Sequence, residues 1–177
     1  MRFSPTPVSG AMVIDLELRD DPRGFFARML CRDEFAARGL SGCFVQWNDS
    51  FSASRGTLRG LHYQTHPHSE AKLVRCISGR VFDVVLDVRP TSSSFGCWHG
   101  VELTAANRRM LYLPEGCAHG YLTIDDATEV IYGVTAAYHP SAERGVRWDD
   151  PQFAIAWPDV GPLTVSEKDQ QWPRYSA

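Results

Sequence analysis

Apolar and polar residues alternate along much of this chain, most regularly in the segment RVFDVVLDVRP at residues 80–90. Phe82 and Val84 occupy one side of an extended segment, whereas Asp83 and Asp87 occupy the other. An alternation with a period of two that ends at a proline predicts a β-strand. We expect one face of this strand to be apolar and the other to be mixed or polar.

Other short β-rich segments recur between glycine, proline, asparagine and aspartate residues. They are AKLVRCIS, WHGVELTA, RRMLYLP, GYLTI and TEVIYGVTAAY. Only the segment RDEFAARGLSG predicts a helix, with Asp33 as its N-cap and Gly39 or Gly42 as its end. Many strands and little helix predict an all-β sandwich or barrel, for which a jelly roll is one standard architecture.

The chain has 177 residues, is 44% hydrophobic and shows no break in composition near its middle. These features predict one domain that spans residues 1–177. Proline-rich segments lie at both ends, around Pro5 to Pro7 and in WPDVGPLTVSEKDQQWPRY. We expect both ends to wrap the barrel without adding strands to it.

Charge and hydrophobicity limit the partners of the protein. A net charge of −3 and the lack of a long basic run argue against nucleic acid, which demands many lysine and arginine contacts. No segment approaches the ~18 apolar residues of a membrane span. The start MRFSPTPVSGAMVI lacks the pattern of a secretory signal, and this favours a cytoplasmic protein.

The five cysteines are Cys31, Cys43, Cys76, Cys97 and Cys117. They are odd in number and widely spaced, and no two form a C-x-x-C pair. This arrangement favours reduced thiols that pack as small hydrophobic residues over a disulfide framework or a zinc site.

Two short segments carry the first hint of chemistry. Gly60, Leu61 and His62 begin one of them, and PEGCAHG, which ends in His119 and a glycine, forms the other. The spacing P-x-G-x-x-H resembles the second of the two motifs of the cupin superfamily. Cupins are small jelly rolls with an internal site, so the resemblance implies that His62 and His119 converge inside the barrel.

A metal site is the first alternative for the histidine-rich segment RGLHYQTHPHSEAKLVR, which contains the pattern H-x-H-x-E. However, His66 and His68 flank Pro67, which disfavours a continued strand, so we expect both on a solvated loop. The ammonium group of Lys72 would repel a cation. We therefore predict no metal ligands here.

Proton transfer is the second alternative. Neutral imidazole accepts a proton near pH 7 when a carboxylate orients it, so His62 is a candidate base. If the acidic C–H lies beside a ketone, its loss yields an enolate, which a cation such as Lys72 stabilises. Tyr132 is a candidate acid that returns the proton on the opposite face. Such an epimerisation needs no cofactor.

Eight segments stand in the order found in the dTDP-4-dehydrorhamnose 3,5-epimerase family, which the chain resembles over nearly its whole length. They are RGFF, QWNDSFS, GTLRGLHYQ, AKLVRCISGRVFDVVLDVRP, LPEGCAHGY, EVIYGVTAAY, RWDDPQFAIAWP and SEKD. The resemblance implies a homodimeric cupin that uses no metal and epimerises a 4-keto-6-deoxy sugar on a nucleoside diphosphate. It implies His62 as base, Asp169 as its orienting carboxylate, Lys72 near the keto oxygen and Tyr132 as acid.

The same resemblance implies residues that bind the substrate and its nucleotide. They are Arg23, Gln46, Asn48, Arg59, His119, Tyr138, Glu143 and Lys168. Several are cations or amides, which suit a diphosphate. Strand parity adds Asp83, which either lines the pocket or is exposed.

One position departs from the family. Its members commonly carry a glutamate where this chain has Arg28, within RGFFAR. A carboxylate can accept a hydrogen bond from N3–H of thymine, whereas a guanidinium only donates and would suit the N3 acceptor of cytosine. A CDP-linked sugar is therefore an alternative to a dTDP-linked one, unless Arg28 faces solvent or the diphosphate. Trp47 is a second departure and either stacks on a base or packs at a dimer interface.

Two functions of other classes stay open. A metal-dependent cupin would require His62, His119 and a carboxylate to converge on an ion. A noncatalytic cupin that binds sugar nucleotides would lack the base or the acid. Within the epimerase hypothesis, the sequence leaves open whether C3, C5 or both are inverted.

Overall fold

The computed structural model describes residues 1–175, and these fold into fourteen strands, two short α-helices and one 3-10 turn. The strands are β1 Arg2–Pro5, β2 Met12–Asp15, β3 Arg19–Asp21, β4 Gly24–Phe26, β5 Gln46–Ser52, β6 Thr57–Gln64, β7 Lys72–Ser78, β8 Arg80–Asp87, β9 Trp98–Thr104, β10 Met110–Leu113, β11 Cys117–Thr123, β12 Thr128–Val134, β13 Glu143–Gly145 and β14 Thr164–Val165. The helices are α1 Arg32–Ala36 and α2 Glu167–Gln170, and the 3-10 turn is Pro140–Ala142. Neither α-helix is long and apolar enough to span a bilayer.

Two large sheets form the body of the fold. One has the strand order β1-β2-β10-β7-β12-β5, and the other has the order β13-β6-β11-β8-β9, with β14 added in parallel beside β6. The neighbouring strands along these two orders are antiparallel. Strands β3 and β4 form a separate hairpin. The predicted all-β jelly-roll architecture is confirmed.

Strand β8 is buried on both faces. Val84 and Leu86 pack with Leu61 in an apolar cluster on one side, whereas Val85 packs with Val74 in the core on the other side. The alternation is therefore as predicted. Its second face, however, is interior rather than exposed, so the aspartates on that face are buried among protein groups.

Several local predictions were wrong. Both ends do add strands, because β1 pairs with β2 at the edge of the first sheet and β14 pairs with β6 in the second. Asp33 lies in the first turn of α1, and the N-cap is Cys31. The end of the helix is as predicted, because Gly39, with a φ of +70°, follows its last turn, where a residue without a Cβ is favoured. Only Cys76 and Cys117 are buried thiols, whereas Cys43 and Cys97 are exposed.

A β-bulge in β6 determines which side chains face the interior. The register with β11 shifts so that Gly60 lies opposite Gly120 and His62 lies opposite His119. The extra residue changes the parity of the strand, and His62 therefore shares the inner face with Arg59. A Cβ on Gly60 would lie 2.6 Å from the Cα of Gly120, so only glycine fits there.

Candidate active site

Two adjoining cavities of about 260 and 450 Å³ lie between the two sheets. His62, Lys72 and Tyr132 line both, so these three side chains form the wall where the cavities meet. Eleven of the thirteen predicted site residues line one or both cavities: Gln46, Asn48, Arg59, His62, Lys72, His119, Tyr132, Tyr138, Glu143, Lys168 and Asp169.

His62 and Asp169 form a hydrogen-bonded pair. The Nε2 atom of His62 lies 2.5 Å from Oδ1 of Asp169, and the Asp169 side chain is 5% exposed. The backbone N–H of Gly60 donates to Oδ2 at 3.2 Å, and the indole N–H of Trp172 donates to Oδ1 at 3.3 Å. Burial by itself raises the pKa of Asp169, but the hydrogen bond and the charge of His62 outweigh it and hold the pKa below its usual value.

The C-terminal segment brings Asp169 to this position. Strand β14 pairs with β6 and directs the following residues toward His62. Ser166 caps α2 by accepting a hydrogen bond from the backbone N–H of Asp169 at 3.1 Å. The carboxylate therefore comes from a short, capped helix that is held against the sheet.

Lys72 begins β7 and is almost buried, with 11% of its side chain exposed. Its Nζ lies 3.2 Å from Oε1 of Glu70 and donates to the carbonyl oxygen of His62 at 3.4 Å. A nearly buried ammonium group is thus held close to the backbone of His62, and its charge acts more strongly on a developing anion there than it would in bulk water.

Tyr132 lies on the opposite sheet from His62. In β12 it is paired with Asn48 of β5 and with Val74 of β7. Burial is the largest cause that raises the pKa of its phenol, followed by the nearby Tyr121. The phenol therefore remains protonated and able to act as an acid at neutral pH.

His119 and Asp83 form a second histidine–carboxylate pair. Nε2 of His119 lies 2.8 Å from Oδ1 of Asp83, and Asp83 is fully buried. Because His119 pairs with Val85 in the sheet and Asp83 pairs with Tyr121, the two side chains are diagonal neighbours on one face. Asp83 therefore orients a cavity-lining histidine and does not face solvent.

A polar cluster surrounds the opening of the smaller cavity. The phenol of Tyr138 donates to Oε2 of Glu143 at 2.8 Å, and Nζ of Lys168 donates to the same oxygen at 2.6 Å. Burial raises the pKa of Glu143, but these hydrogen bonds outweigh it and lower the pKa below its usual value. Nε2 of Gln46 donates to Oδ1 of Asn48 at 2.7 Å on the same wall.

The structure does not bring Arg23 or Arg28 to these cavities. Both belong to the region of the β3–β4 hairpin, where the guanidinium of Arg23 pairs with Asp21 at 2.6 Å and is 89% exposed. Arg28 pairs with Glu34 at 2.9 Å. Both arginines pair with carboxylates near them in the chain, and neither lines one of these two cavities of the same chain. Their contact with a nucleotide stays a prediction.

Trp47 is half exposed, and its ring lies 5.7 Å from that of Phe44. It points away from the wall that holds Gln46 and Asn48, as expected from the alternation along β5. It therefore does not stack on a ligand in these cavities. Packing of Trp47 at a dimer interface stays a prediction.

The histidines of the loop after β6 lie apart from the dyad. His66 is exposed, and His68 stacks on His139 with ring centroids 3.9 Å apart. Residues 1–175 contain no group of three or more His, Cys, Asp or Glu side chains placed to hold a metal ion. The H-x-H-x-E pattern does not converge on one point.

Sequence reasoning missed several cavity residues, among them Ser50, Gln64, Glu70 and Tyr121. Ser50 could have been predicted from the sequence, because alternation along β5 places it on the same face as Asn48. Trp172, which donates to Asp169, lies in the C-terminal segment and no periodic pattern marks it. Glu70 was noticed only as part of a metal pattern.

An imidazole–carboxylate pair, a phenol and an ammonium group gathered inside a jelly roll define an acid–base site of the kind that proton-transferring isomerases use. The sequence model for dTDP-4-dehydrorhamnose 3,5-epimerase matches residues 5–177. The chain belongs to this epimerase family.

Individual relatives agree with this assignment. The chain is 44% identical to the dTDP-4-dehydrorhamnose 3,5-epimerase of Methanothermobacter thermautotrophicus, over 97% of this chain and 92% of the relative. It is 42% identical to the dTDP-4-dehydrorhamnose 3-epimerase of Streptomyces niveus, over 96% and 82%. The dTDP-4-dehydrorhamnose 3,5-epimerase of Bacillus anthracis, solved with TDP and pyrophosphate bound, superposes with a TM-score of 0.92 at 37% identity, over 98% and 99% of the two chains.

Proposed function

We propose that this protein epimerises C3 and C5 of dTDP-4-dehydro-6-deoxy-D-glucose and so produces dTDP-4-dehydro-L-rhamnose. The observation that carries the proposal is the placement of His62 and Tyr132 on opposite sheets around one cavity. A base on one side of a sugar ring and an acid on the other side invert a carbon between them.

The catalytic residues act in sequence. His62 takes the proton from the carbon beside the ketone, and Asp169 stabilises the resulting imidazolium. The electron pair of the broken C–H bond forms a C=C bond, and the carbonyl electrons move to oxygen, where Lys72 stabilises the enolate. Collapse of the enolate takes a proton from the phenol of Tyr132 on the opposite face. The carbon is inverted, and exchange with solvent restores both groups.

Cationic and amide side chains suit the remainder of the substrate. Arg59 and Lys168 line the larger cavity, and Gln46 and Asn48 line the smaller one. Guanidinium and ammonium groups pair with diphosphate oxygens, and amides offer donors and acceptors to sugar hydroxyls. The bound TDP in the relative from Bacillus anthracis supports a dTDP-linked substrate over a CDP-linked one.

We also propose that the protein is a homodimer. Phe26 is 63% exposed, and Val45, Trp47 and Phe51 on one face of the β5 segment are at least 50% exposed. A second copy of the chain would remove this apolar surface from water. Light scattering of the wild type and of Phe51→Lys should give a dimer and a weakened dimer, respectively. A monomeric wild type contradicts this proposal.

The unpaired cysteines support a cytoplasmic location, because thiols stay reduced in that compartment. Separation of the cells of the source organism into soluble and extracytoplasmic fractions tests this proposal. Recovery of the protein with the extracytoplasmic fraction would contradict it.

Proton NMR of the product tests the function. Purified protein, treated with chelator, is incubated with dTDP-4-dehydro-6-deoxy-D-glucose and in parallel with the CDP-linked sugar. We expect the coupling constants of the product to show inversion at C3 and C5 with the dTDP-linked sugar. Inversion at C3 alone restricts the proposal to a 3-epimerase. Activity that appears only after a metal is restored favours a metal-dependent cupin. Tight binding of the sugar nucleotide without turnover favours a noncatalytic cupin.

A further inference from the structure

A buried carboxylate accompanies Lys72 and has no role in the proton transfers described above. Glu70 lies in the loop that precedes β7, and its side chain is 5% exposed. Its Oε1 atom lies 3.2 Å from Nζ of Lys72, and both residues line the smaller cavity. A carboxylate removed from water is costly unless it is paired. Glu70 and Lys72 therefore depend on each other.

The other oxygen of Glu70 is also held. The amide Nε2 of Gln64 donates to Oε2 at 2.7 Å, while Oε1 of Gln64 accepts from the backbone N–H of His139 at 2.6 Å. The loop itself is tied to the residue that follows β12, because the backbone N–H of Ala71 donates to Oγ1 of Thr135 at 2.8 Å. The Glu70 carboxylate is thus held at Oε2 by an amide that is itself fixed, which leaves Oε1 directed at Lys72.

The ammonium of Lys72 has three donors on a flexible stem. The carbonyl oxygen of His62 accepts from one of them at 3.4 Å, and the carboxylate of Glu70 forms an ion pair with Nζ at 3.2 Å. An N–H that neither oxygen accepts is then left for the cavity. We propose that Glu70 is a positioning residue, which holds the Lys72 ammonium so that its free N–H points to the keto oxygen of the substrate. This inference rests on the role proposed above for Lys72.

Glu70 also acts on the acid of the reaction. Burial is the main cause of the raised pKa of Tyr132, and the negative charge of Glu70 raises it further. A higher pKa keeps the phenol protonated at neutral pH but makes it a weaker acid, so the benefit of Glu70 to catalysis lies in its ion pair with Lys72.

The test is a double-mutant cycle between Glu70→Gln and Lys72→Met. Glu70→Gln keeps the shape of the side chain and removes its charge. We expect it to lower kcat by ~10- to 100-fold, as a small displacement of a catalytic group does, with little change in KM. In the Lys72→Met background the same change should alter kcat by less than about 2-fold, since residues that act as a unit are not additive.

Two further variants separate positioning from structure. Glu70→Asp keeps the charge and shortens the reach, so it should retain more kcat than Glu70→Gln. Glu102→Gln, an exposed residue of β9, is the matched control and should leave kcat unchanged. Urea unfolding of the wild type, the two single variants and the double variant measures the coupling free energy of the ion pair. This measurement does not depend on activity.

The outcomes are distinct. An active wild type whose kcat is unchanged by Glu70→Gln, or a loss of equal size in the Lys72→Met background, overturns the positioning role. A wild type that epimerises neither sugar overturns the proposed function, and the positioning role falls with it even if the urea midpoints show coupling. Additive urea midpoints show that the ion pair does not form, and this also overturns the inference.

Discussion

Nε2 of His62 lies 2.5 Å from Oδ1 of Asp169, although 107 residues separate them along the chain. The bond fixes the orientation of the imidazole and the roles of its two nitrogens. Nδ1 makes no side-chain hydrogen bond within residues 1–175, so it is the nitrogen available to a substrate. His62 of β6 and Asp169 of α2 thus act together as one catalytic base.

The Asp169 carboxylate makes stability depend on pH. Its pKa is lower in the folded protein than the ~3.9 of an unfolded chain, so the folded state favours the ionised form. The resulting stabilisation is fully present above about pH 4 and is lost as the pH falls through the folded-state pKa. Urea midpoints at pH 7 and pH 3 should therefore show that wild type is more stable than Asp169→Asn at pH 7, with a smaller difference at pH 3. A difference that grows on acidification contradicts the assignment.

Replacement of the phenol separates proton removal from inversion. In Tyr132→Phe the base is intact, so deprotonation and return of a proton from the His62 side can continue. We expect deuterium from solvent to enter the substrate while inversion falls by ~10²- to 10⁴-fold, the usual contribution of a positioned acid. NMR in deuterated water measures both quantities in one sample. Unimpaired inversion would assign the acid to another residue.

The buried pair of Asp83 and His119 supports the cavity wall. Asp83→Ala removes the oxygen that lies 2.8 Å from Nε2 of His119, so that nitrogen loses its hydrogen bond to the protein. A loss of this kind costs ~1–3 kcal/mol in the free energy of unfolding. Urea denaturation checks it, with Asp83→Asn, which keeps an acceptor, as the milder control. Equal stability of Asp83→Ala and wild type would show that the bond contributes nothing.

The sequence was sufficient to predict the features of the fold and the site that depend on local periodicity or on recognisable motifs. The alternation in β8 predicted its strand and the shared face of Asp83 and Val85, and the motifs selected His62, Tyr132 and Asp169 as neighbours. It was not sufficient where tertiary contacts decide. Whether the polar face of β8 is buried depends on the opposing sheet, which no local pattern reveals.

The bulge in β6 is the clearest example of this limit. Simple alternation from Arg59 would direct Leu61 inward and His62 outward, whereas the bulge reverses both. Glu70 is a second example of this limit, because only the folded structure shows that its partners are Lys72 and Gln64. The motif that selected Arg23 and Arg28 likewise contains no information about Asp21 and Glu34, the carboxylates with which they pair in this chain.

The most direct test of the central claim is deuterium uptake by dTDP-4-dehydro-6-deoxy-D-glucose in deuterated water, followed by NMR for wild type and His62→Asn. The account predicts that wild type introduces deuterium at C3 and C5 and that His62→Asn introduces none above the rate without protein. Equal uptake by the two proteins would show that His62 is not the base and would contradict the account.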